Sequence, residues 1–245
     1  MKSLKIKPQD IQTIDDLQKL PILTKNKVRD IGKKLVSTSL STKDMVEGKT
    51  GGTTGTALRL FYDTTTIPKQ WAVWWRHRHR FNLNLYDEFI VFAGRDVIPL
   101  SDMSPPFWRR NIPMHQTYVS IHHMTKQNMP FLIDYLQKRN VRYYSGYPSA
   151  LYLVAKHIID NHIKLRHPPH IVVLGAENLL PYQKEAMSYA FDCNVTDQYG
   201  TSEHCVNISK CEHGNYHIDM EFGVTEFLRF NHDKLKNKAK ILCTG

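Results

Sequence analysis

The chain has 245 residues, of which 41% are hydrophobic, so it has enough apolar material for a sizeable buried core. No apolar run reaches the roughly 18–20 residues that a membrane-spanning helix requires, and no apolar signal-peptide segment follows the basic start. These features argue against a helical membrane protein and predict a soluble, cytoplasmic one with one large domain or two small ones. The four cysteines form no C-x-x-C pair and are expected to be reduced thiols.

The formal net charge of +10 favours polyanionic partners such as nucleotides, acidic membrane surfaces or nucleic acid. The positive charge is spread along the chain and includes an Arg/His run at residues 76–80. No zinc-finger, helix-turn-helix or RNA-binding signature accompanies it. We therefore interpret the basic residues mainly as solvated faces, and the run at 76–80 as a wet helix face. A basic nucleic-acid-binding protein is kept as a third interpretation.

The first part of the chain is predicted to be poor in strands. Residues 1–40 have polar, helical character, and residues 43–57 are predicted to form a polar loop rich in Gly and Thr. A short strand is predicted at residues 58–62 and a helix at residues 67–81. Three tryptophans of this helix have a spacing that is typical of core packing: Trp71, Trp74 and Trp75.

The rest of the chain alternates predicted strands with predicted helices. The strands are predicted at residues 89–94, 171–174, 193–198, 224–228 and 239–243. The helices are predicted at residues 131–137, 150–163 and 181–191. Residues 101–117, which carry three prolines, are predicted to be an irregular connection. This alternation predicts an α/β fold with a largely parallel sheet, in which ligands bind at the carboxyl ends of the strands.

The most specific segment is a glycine–threonine loop at residues 50–56, with the sequence Thr-Gly-Gly-Thr-Thr-Gly-Thr. Glycines let backbone N–H groups approach an anion closely, and threonine hydroxyls donate hydrogen bonds to phosphate oxygens. The loop lacks the lysine of a Walker motif and the spacing of a dinucleotide-binding glycine motif. On its own it fits a phosphate-binding loop and a surface turn equally well.

Two further segments directly follow predicted strands. Residues 175–177 (Gly-Ala-Glu) form a small-residue turn that can lie flat under a planar ring, although an ordinary strand-to-helix turn has the same pattern. Residues 199–203 (Tyr-Gly-Thr-Ser-Glu) offer a ring for a base, hydroxyls for a phosphate and a carboxylate for Mg²⁺. The alternative for Glu203 is a surface carboxylate. Each segment is weak alone, whereas their order and spacing together are specific.

Together, the three segments resemble the acyl-adenylate-forming superfamily. More narrowly, they are similar to its phenylacetate–coenzyme A ligase branch and the relatives of that branch in capsular polysaccharide biosynthesis. Further stretches that fit the family are residues 20–25, 211–217 and 241–245. The resemblance therefore runs along almost the whole chain. It implies that residues 1–245 form a partial large N-terminal domain of mostly parallel sheets flanked by helices.

The resemblance also implies a role for each matched residue. The β- and γ-phosphates of ATP would be wrapped by Thr50, Gly51, Gly52, Thr53, Thr54 and Gly55. The adenine site would contain Gly175, Ala176, Glu177, Gln198, Tyr199 and Gly200, with Tyr199 stacked on the ring. Thr201 or Ser202 would contact the α-phosphate or the carboxylate, and Glu203 would hold Mg²⁺. The expected catalytic residues are Thr53, Thr201 and Glu203.

The implied reaction is the attack of a carboxylate on the α-phosphorus of ATP, which gives an acyl-adenylate and pyrophosphate. The acyl group then passes to a thiol such as coenzyme A. Mg²⁺ and loop donors would stabilise negative charge on the phosphate oxygens. The expected partners are a small carboxylic acid and coenzyme A, without nucleic acid or membrane, and a homodimer is left open. A catalytically inactive nucleotide-binding or regulatory module is the second interpretation.

The chain departs from the family pattern in two ways. Thr56 and Ala57 stand where the family loop commonly continues with Lys-Pro, so a lysine that orients phosphate is missing. The ribose-binding Asp of the family, its hinge and its C-terminal lid with a catalytic Lys would lie beyond residue 245. We therefore expect a truncated domain without the lid, and weak or absent adenylation by this chain.

Two weaker signals remain. Cys205, Cys211, His213 and His217 are zinc-type ligands close together in sequence, but their spacing matches no standard finger. Zinc is therefore an alternative to partly buried thiols and surface imidazoles. Ser149 follows Pro148 in a region that borders the acyl pocket of the family, and it is predicted to be the N-cap of the next helix.

Overall fold

The computed structural model describes residues 6–38, 41–50, 57–229 and 239–244, and this part of the chain has an α/β structure. Its α-helices are α1 (Lys25–Ile31), α2 (Thr66–His79), α3 (Met129–Gln137), α4 (Pro148–Asp160) and α5 (Pro181–Phe191). Its strands are β1 (Met45–Lys49), β2 (Arg59–Asp63), β3 (Phe89–Ala93), β4 (Trp108–Asn111), β5 (Gln116–Ser120), β6 (Tyr143–Gly146), β7 (Ile171–Leu174), β8 (Asn194–Gly200), β9 (Asn207–Lys210), β10 (Tyr216–Ile218), β11 (Val224–Arg229) and β12 (Ala239–Thr244).

The chain divides into two compact units, of which unit 1 is built from three stretches of sequence and unit 2 from two. Unit 1 consists of residues 1–70, 202–205 and 220–245, and unit 2 consists of residues 71–201 and 206–219. Unit 1 contains two antiparallel hairpins, β1 with β2 and β11 with β12. Unit 2 contains an eight-stranded sheet in the order β10-β9-β8-β7-β6-β3-β5-β4.

The centre of the large sheet is parallel. Strands β5, β3, β6, β7 and β8 are neighbours in this order, and each adjacent pair runs parallel. Strand β7 (Ile-Val-Val-Leu) is buried along its whole length, as expected for a parallel strand that is covered on both faces. The remaining strands β4, β9 and β10 extend the sheet with antiparallel pairs. The predicted α/β fold with a parallel sheet is therefore confirmed for the centre, with antiparallel edges added.

Successive side chains of a strand point to opposite faces, so strands β3, β6 and β7 each contribute to two hydrophobic clusters. On one face, Phe92, Tyr144 and Val172 pack with side chains of α3, α4 and α5. On the other face, Phe89, Tyr143, Ile171 and Val173 pack with Leu83, and the rings of Phe89 and Tyr143 stack with their centroids 4.5 Å apart. The sheet is therefore covered on both faces, which leaves its strand ends as the place for a ligand.

The element predictions are confirmed most closely where the pattern is strongest. Helix α5 and strand β7 have the predicted bounds. The irregular connection predicted at 101–117 is wrong, because β4 and the start of β5 lie within it. Strand β4 is an edge strand with exposed arginines at its centre, so its sequence has no apolar pattern. The loop predicted at 43–57 likewise contains β1, whose residues are mostly exposed.

In the described part of the chain, no helix has the length and apolar composition needed to cross a membrane. Residues 6–38 contain the short helix α1 and several 3₁₀ turns rather than long helices. This agrees with the polar, helical character predicted there, since short polar helices have no apolar face to extend them.

Candidate active site

The carboxyl ends of four parallel strands in unit 2 lie side by side. The register pairs Phe92 with Gly146, Gly146 with Leu174, and Leu174 with Asp197. The residues that directly follow these positions are therefore at one edge of the sheet, where α/β proteins bind ligands. Both predicted adenine segments in unit 2, residues 175–177 and the part of the Tyr-Gly-Thr-Ser-Glu motif up to Thr201, come at this edge.

Gly146 fixes the position of the middle of this edge. Its φ is +150°, and a Cβ atom on it would lie 2.1 Å from the carbonyl oxygen of Phe92. The next residue, Tyr147, donates its backbone N–H to the same oxygen at 2.8 Å. Its ring lies 3.4 Å from where a Cβ atom of Gly94 would be. Gly146 and Tyr147 therefore belong to the edge, and the sequence reasoning missed both; the Gly-Tyr-Pro-Ser sequence at a strand end is the signal that points to them.

The Gly-Ala-Glu turn follows β7 directly. Ala176 has a φ of +69°, in the left-handed region that costs an L-residue about 1–2 kcal/mol. A Cβ atom on Gly175 would meet the carbonyl oxygen of Gln198 at 3.6 Å and its Cγ at 3.7 Å, which are ordinary contact distances. The packing of the protein itself therefore does not require a glycine at this position.

Glu177 is tied to the amino end of helix α4. Its carboxylate accepts hydrogen bonds from the backbone N–H of Ser149 at 3.0 Å and from the Ser149 hydroxyl at 2.9 Å. The N-cap position is occupied by Tyr147, so the prediction of Ser149 as N-cap is wrong. The carboxylate of Glu177 instead satisfies an N–H group in the first turn, where a negative charge is favoured by the helix dipole.

The next strand, β8, brings Gln198, Tyr199 and Gly200 to the edge. Tyr199 is 39% exposed, so part of its ring is available for stacking. The side-chain oxygen of Gln198 is buried, and the Gln198 side chain interacts with His77. Gly200 pairs with Asn207 of β9, and Thr201 is the last residue of this stretch of unit 2. The six residues predicted for the adenine site therefore lie at the ends of two neighbouring strands of unit 2.

Ser202 and Glu203, the last two residues of the motif, belong to unit 1. The hydroxyl of Tyr62, from β2, donates a hydrogen bond to the carbonyl oxygen of Ser202. The Tyr62 ring also meets the ring of His204 edge to face, with the centroids 4.6 Å apart. Burial and the nearby charge of Glu203 raise the pKa of Tyr62, so this phenol stays protonated and remains a donor at neutral pH.

Gly48 of β1 makes room for the Tyr62 ring, since a Cβ atom on it would lie 2.6 Å from the ring. The β1–β2 hairpin, the strand pair that flanks the glycine–threonine loop, therefore holds the Ser202–Glu203 segment through Tyr62. Gly48 and Tyr62 have no motif in the sequence, and the reasoning from sequence missed both.

Thr50 closes the base of the glycine–threonine loop. Its backbone N–H donates to the carbonyl oxygen of Leu58 at 3.0 Å, and its hydroxyl oxygen accepts from the Leu58 N–H at 2.9 Å. The other predicted phosphate-binding residues, Gly51, Gly52, Thr53, Thr54 and Gly55, lie outside the described residues. The described part of this segment is thus the end of the β1–β2 hairpin.

Among the described residues, no three His, Cys, Asp or Glu side chains come together as a metal site. Of the zinc candidates, Cys211 is 9% exposed, and the side chain of His213 is 79% exposed. Cys205 instead contacts Cys243, with the two sulfur atoms 2.7 Å apart. The described side chains therefore give the zinc alternative no support.

The Arg/His run at 76–80 is a solvated helix face only in part. His77 is fully buried and Arg78 is 7% exposed, whereas the other three residues of the run are exposed, as predicted. His77 Nε2 lies 3.0 Å from the carbonyl oxygen of Lys210, and it donates because a carbonyl can only accept. Burial, and to a lesser extent the charge of Arg78, lowers the pKa of His77 to about 4, so the ring is neutral at pH 7. The buried His77 therefore attaches α2 to the sheet.

The predicted core packing of the three tryptophans is also wrong. Trp71 is 42% exposed, while Trp74 and Trp75 are only half-buried. The buried face of α2 is formed by Gln70, Val73 and His77, at helical spacing. The guanidinium carbon of Arg78 lies 5.6 Å from the Trp75 ring and 6.0 Å from the Trp74 ring. Trp74 and Trp75 thus lie against the buried guanidinium group of Arg78 and are not part of the hydrophobic core.

A buried polar network joins α2 to the segment after the motif. Asp219 is 3% exposed; it forms an ion pair with Arg76 and accepts hydrogen bonds from Asn207 at 2.6 Å and Ser209 at 3.1 Å. Trp74 Nε1 donates to the Asn207 side-chain oxygen at 3.1 Å. Because Asn207 is paired with Gly200, this network supports the end of the strand that carries Tyr199.

Known proteins are similar to this chain in sequence and in fold. No protein-family model matches the chain. The protein CapK of Staphylococcus aureus is 25% identical over 214 residues, which are 87% of this chain and 47% of CapK. The structure of 2-hydroxyisobutyryl-CoA ligase in an open conformation, in complex with 2-HIB-AMP and CoA, superimposes with a TM-score of 0.64 at 12% identity, over 98% of this chain and 56% of that one. The anthranilate CoA ligase AuaEII, in complex with anthranoyl-AMP, gives a TM-score of 0.52 at 12% identity, over 86% and 40%.

The chain is thus similar in sequence to CapK and shares the fold of two CoA ligases, which agrees with the resemblance given by the sequence segments. The chain spans about half of the length of CapK and of 2-hydroxyisobutyryl-CoA ligase.

Proposed function

We propose that this chain takes part in the ATP-dependent activation of a carboxylic acid, followed by acyl transfer to a thiol such as coenzyme A. The observation that carries the proposal is the strand-end edge of unit 2, where the Gly-Ala-Glu turn and Tyr199 come from neighbouring parallel strands. Similarity to CapK and to the fold of two CoA ligases supports it. The phenylacetate branch is the finer proposal, which makes an aryl or short-chain acid the first substrate class to test.

In this proposal the edge of unit 2 binds the adenine. The Gly-Ala-Glu turn faces one side of the ring, and the exposed part of Tyr199 stacks on the other. A ring bound here covers apolar surface of Tyr199.

Unit 1 supplies the residues proposed for the phosphates. Glu203 is half-buried, and a carboxylate in this setting fits Mg²⁺, which prefers one or two carboxylates together with phosphate oxygens. When bound, Mg²⁺ neutralises charge on those oxygens. Tyr62 holds the Ser202 backbone and thereby orients Glu203 and the neighbouring hydroxyls. Residues 51–56 are proposed to donate to the β- and γ-phosphates, as the resemblance implies.

The proposed chemistry has two displacements. A carboxylate oxygen of the acid attacks the α-phosphorus of ATP, and the bond to the β-phosphate oxygen breaks to release pyrophosphate. The thiol of coenzyme A then gives up its proton and attacks the acyl carbonyl, and AMP leaves. We assign residues 1–245 to part of the large adenylate-forming domain and place the reaction in the cytoplasm, with Mg²⁺ as the metal.

Binding tests the proposal independently of turnover. We expect Mg-ATP, AMP and a sulfamoyl analogue of an acyl-adenylate to bind the folded chain in isothermal titration calorimetry. Gly175→Val fills the space beside the turn and is expected to weaken the analogue by about 10-fold or more. Ala72→Val, at an exposed position of α2, is the control and should bind like the wild type. The proposal is wrong if the folded wild-type chain binds none of the three ligands.

Acid-dependent exchange between ATP and pyrophosphate tests the first displacement. Glu203→Gln should lower the exchange rate by about 10²-fold, because it removes the carboxylate proposed for Mg²⁺. Its affinity for AMP without metal should remain that of the wild type. Binding of the analogue without exchange by any acid would instead assign the chain as a nucleotide-binding module without turnover.

A further inference from the structure

Two cysteine thiols lie next to each other in unit 1, and one of them follows the proposed magnesium-binding residue closely in sequence. Cys205 follows Glu203 by two residues, and Cys243 lies in β12. Their sulfur atoms are 2.7 Å apart, although 38 positions separate them in the sequence. Neither is in a disulfide, and both are half-buried, so a small reagent can reach the pair.

Backbone packing brings the two sulfur atoms together. A Cβ atom on Gly223 would lie 2.1 Å from the carbonyl oxygen of Cys205 and 3.1 Å from that of Thr244. The backbone of Cys205 therefore rests against the hairpin in which β11 and β12 pair. The register of this hairpin sets Cys243 opposite Thr225. A cysteine side chain has only one rotatable bond between its backbone and its sulfur. The positions of the two backbones therefore limit the positions that the two sulfur atoms can take.

We propose that Cys205 and Cys243 are a site of reversible disulfide formation, with a low-molecular-weight disulfide such as oxidised glutathione as the oxidant. The sulfur atoms need to move by only about 0.7 Å to reach the roughly 2.05 Å of a disulfide bond. Cys193 and Cys211 are not part of the site. Cys211 is 9% exposed, and burial raises the pKa of the Cys193 thiol to about 12.

The reaction proceeds in two balanced exchanges. One thiol of the pair loses its proton and attacks the oxidant, which forms a mixed disulfide and releases the first glutathione thiolate. The second thiol then attacks the protein sulfur of this mixed disulfide, closes the Cys205–Cys243 bond and releases the second glutathione. The pair loses two electrons and two protons, and two molecules of reduced glutathione carry them away. Excess reduced glutathione reverses both steps.

Disulfide exchange proceeds through a thiolate, so a mildly alkaline pH is chosen for the test.

The disulfide fixes residues 202–205 to β12. The carbonyl oxygen of Ser202 is already held by Tyr62, so a bond at Cys205 fixes the other end of the same short segment. Backbone amides of residues 202–206 are expected to exchange their hydrogens several-fold more slowly in the oxidised chain. Any change in nucleotide binding rests on the proposed function, whereas bond formation and amide exchange do not.

Thiol counting tests the site directly. The full chain is incubated with oxidised glutathione at mildly alkaline pH, and the four thiols are then titrated under native and denaturing conditions. We expect the count to fall to two, with a Cys205–Cys243 peptide that has lost two hydrogens and returns to the reduced form with dithiothreitol. Cys193→Ser, the matched control, should form the same bond. Cys205→Ser and Cys243→Ser should each stop at one bound glutathione.

Two results would overturn the proposal. One is a folded chain, verified by circular dichroism, that keeps all four thiols in excess oxidised glutathione. The other is a disulfide that uses Cys193 or Cys211 instead. If a serine variant does not fold, the corresponding alanine variant, Cys205→Ala or Cys243→Ala, replaces it. The peptide map of the oxidised wild-type chain shows without any variant which cysteines form the disulfide. A chain that binds no nucleotide but forms the bond contradicts the proposed function and leaves the thiol site intact.

Discussion

The strand-end edge of unit 2 and the α2 face of the same sheet are built in different ways. At the edge, backbone conformation dominates: Gly146 has no room for a Cβ atom, and Ala176 adopts a positive φ. On the α2 face, side chains dominate, since His77 and Asp219 are buried and hydrogen-bonded to groups far away in sequence.

This difference explains what each region contributes. At the edge, backbone groups of neighbouring strands approach each other closely, and small residues permit this approach. The α2 face is closed, and its polar groups are satisfied inside the protein, as buried polar groups must be. A buried polar network specifies one packing of helix on sheet, and it thereby holds the strand end that carries Tyr199. Substitutions should consequently act through backbone clashes in the first region and through unsatisfied polar groups in the second.

The largest effect is expected for Gly146→Ala. A methyl group 2.1 Å from the Phe92 carbonyl oxygen forces β3 and β6 apart, so the free energy of unfolding should fall by about 4 kcal/mol or more. Urea denaturation followed by circular dichroism measures this loss. Gly214→Ala is the matched control: its φ is +85°, but nothing lies within 4 Å, so it should lose only about 1 kcal/mol. Equal losses for both variants would mean that φ alone, not crowding, makes glycine necessary.

The next effect is expected for Asp219→Ala in the polar network. This change removes the acceptor of the Asn207 and Ser209 side chains and the ion pair between Asp219 and Arg76, so the free energy of unfolding should fall by about 3 kcal/mol. Asp134→Ala removes an exposed ion pair with Lys138 and should have no measurable effect. A neutral result for Asp219→Ala in urea denaturation would show that the network contributes nothing to the packing of α2.

A smaller effect, and one that depends on pH, is expected from His77. Its pKa is about 4 in the folded protein against the ordinary 6.5, so the unfolded chain binds more protons between these values. Stability should therefore fall as the pH falls through this window, by about 2 kcal/mol between pH 6.5 and pH 5 from this group alone.

His77→Gln keeps a side-chain N–H for the Lys210 carbonyl but cannot be protonated, so it should lack this part of the pH dependence. His167→Gln, at an exposed position, should retain the wild-type slope. The measurement is the difference in unfolding free energy between wild type and variant across the window. The same slope in His77→Gln and wild type would contradict the burial of a neutral ring.

The smallest effect is expected for Ser149→Ala at the strand-end edge. The variant loses the hydroxyl bond to Glu177 but keeps the backbone N–H bond, so stability should fall by about 0.5–1 kcal/mol. Glu177→Gln should cost a similar amount, since it keeps an acceptor but removes the charge near the amino end of α4. Thermal denaturation of both variants and their double mutant measures the coupling. Additive losses would mean that the two side chains do not interact.

Much of the fold follows from local pattern. Helix α5 begins at the predicted Pro181, and the β-branched run of β7 is a strand because both of its faces are buried. Strand β4 escapes prediction because an edge strand needs no apolar pattern. The site is divided in the same way: the Gly-Ala-Glu turn and Tyr199 carry local signals, whereas Tyr62 acquires its role only by meeting Ser202, 140 positions away.

The sequence by itself determines the parallel α/β centre and the order of the segments proposed for phosphate, adenine and magnesium, because periodicity and glycine content are local properties of the chain. Only the tertiary structure decides that His77 and Arg78 are buried, that Glu177 binds the amino end of α4, and that Cys205 meets Cys243. Each of these depends on two segments far apart in sequence. The burial of a charged or polar side chain is stable only when a distant partner is present, and no local pattern contains that partner.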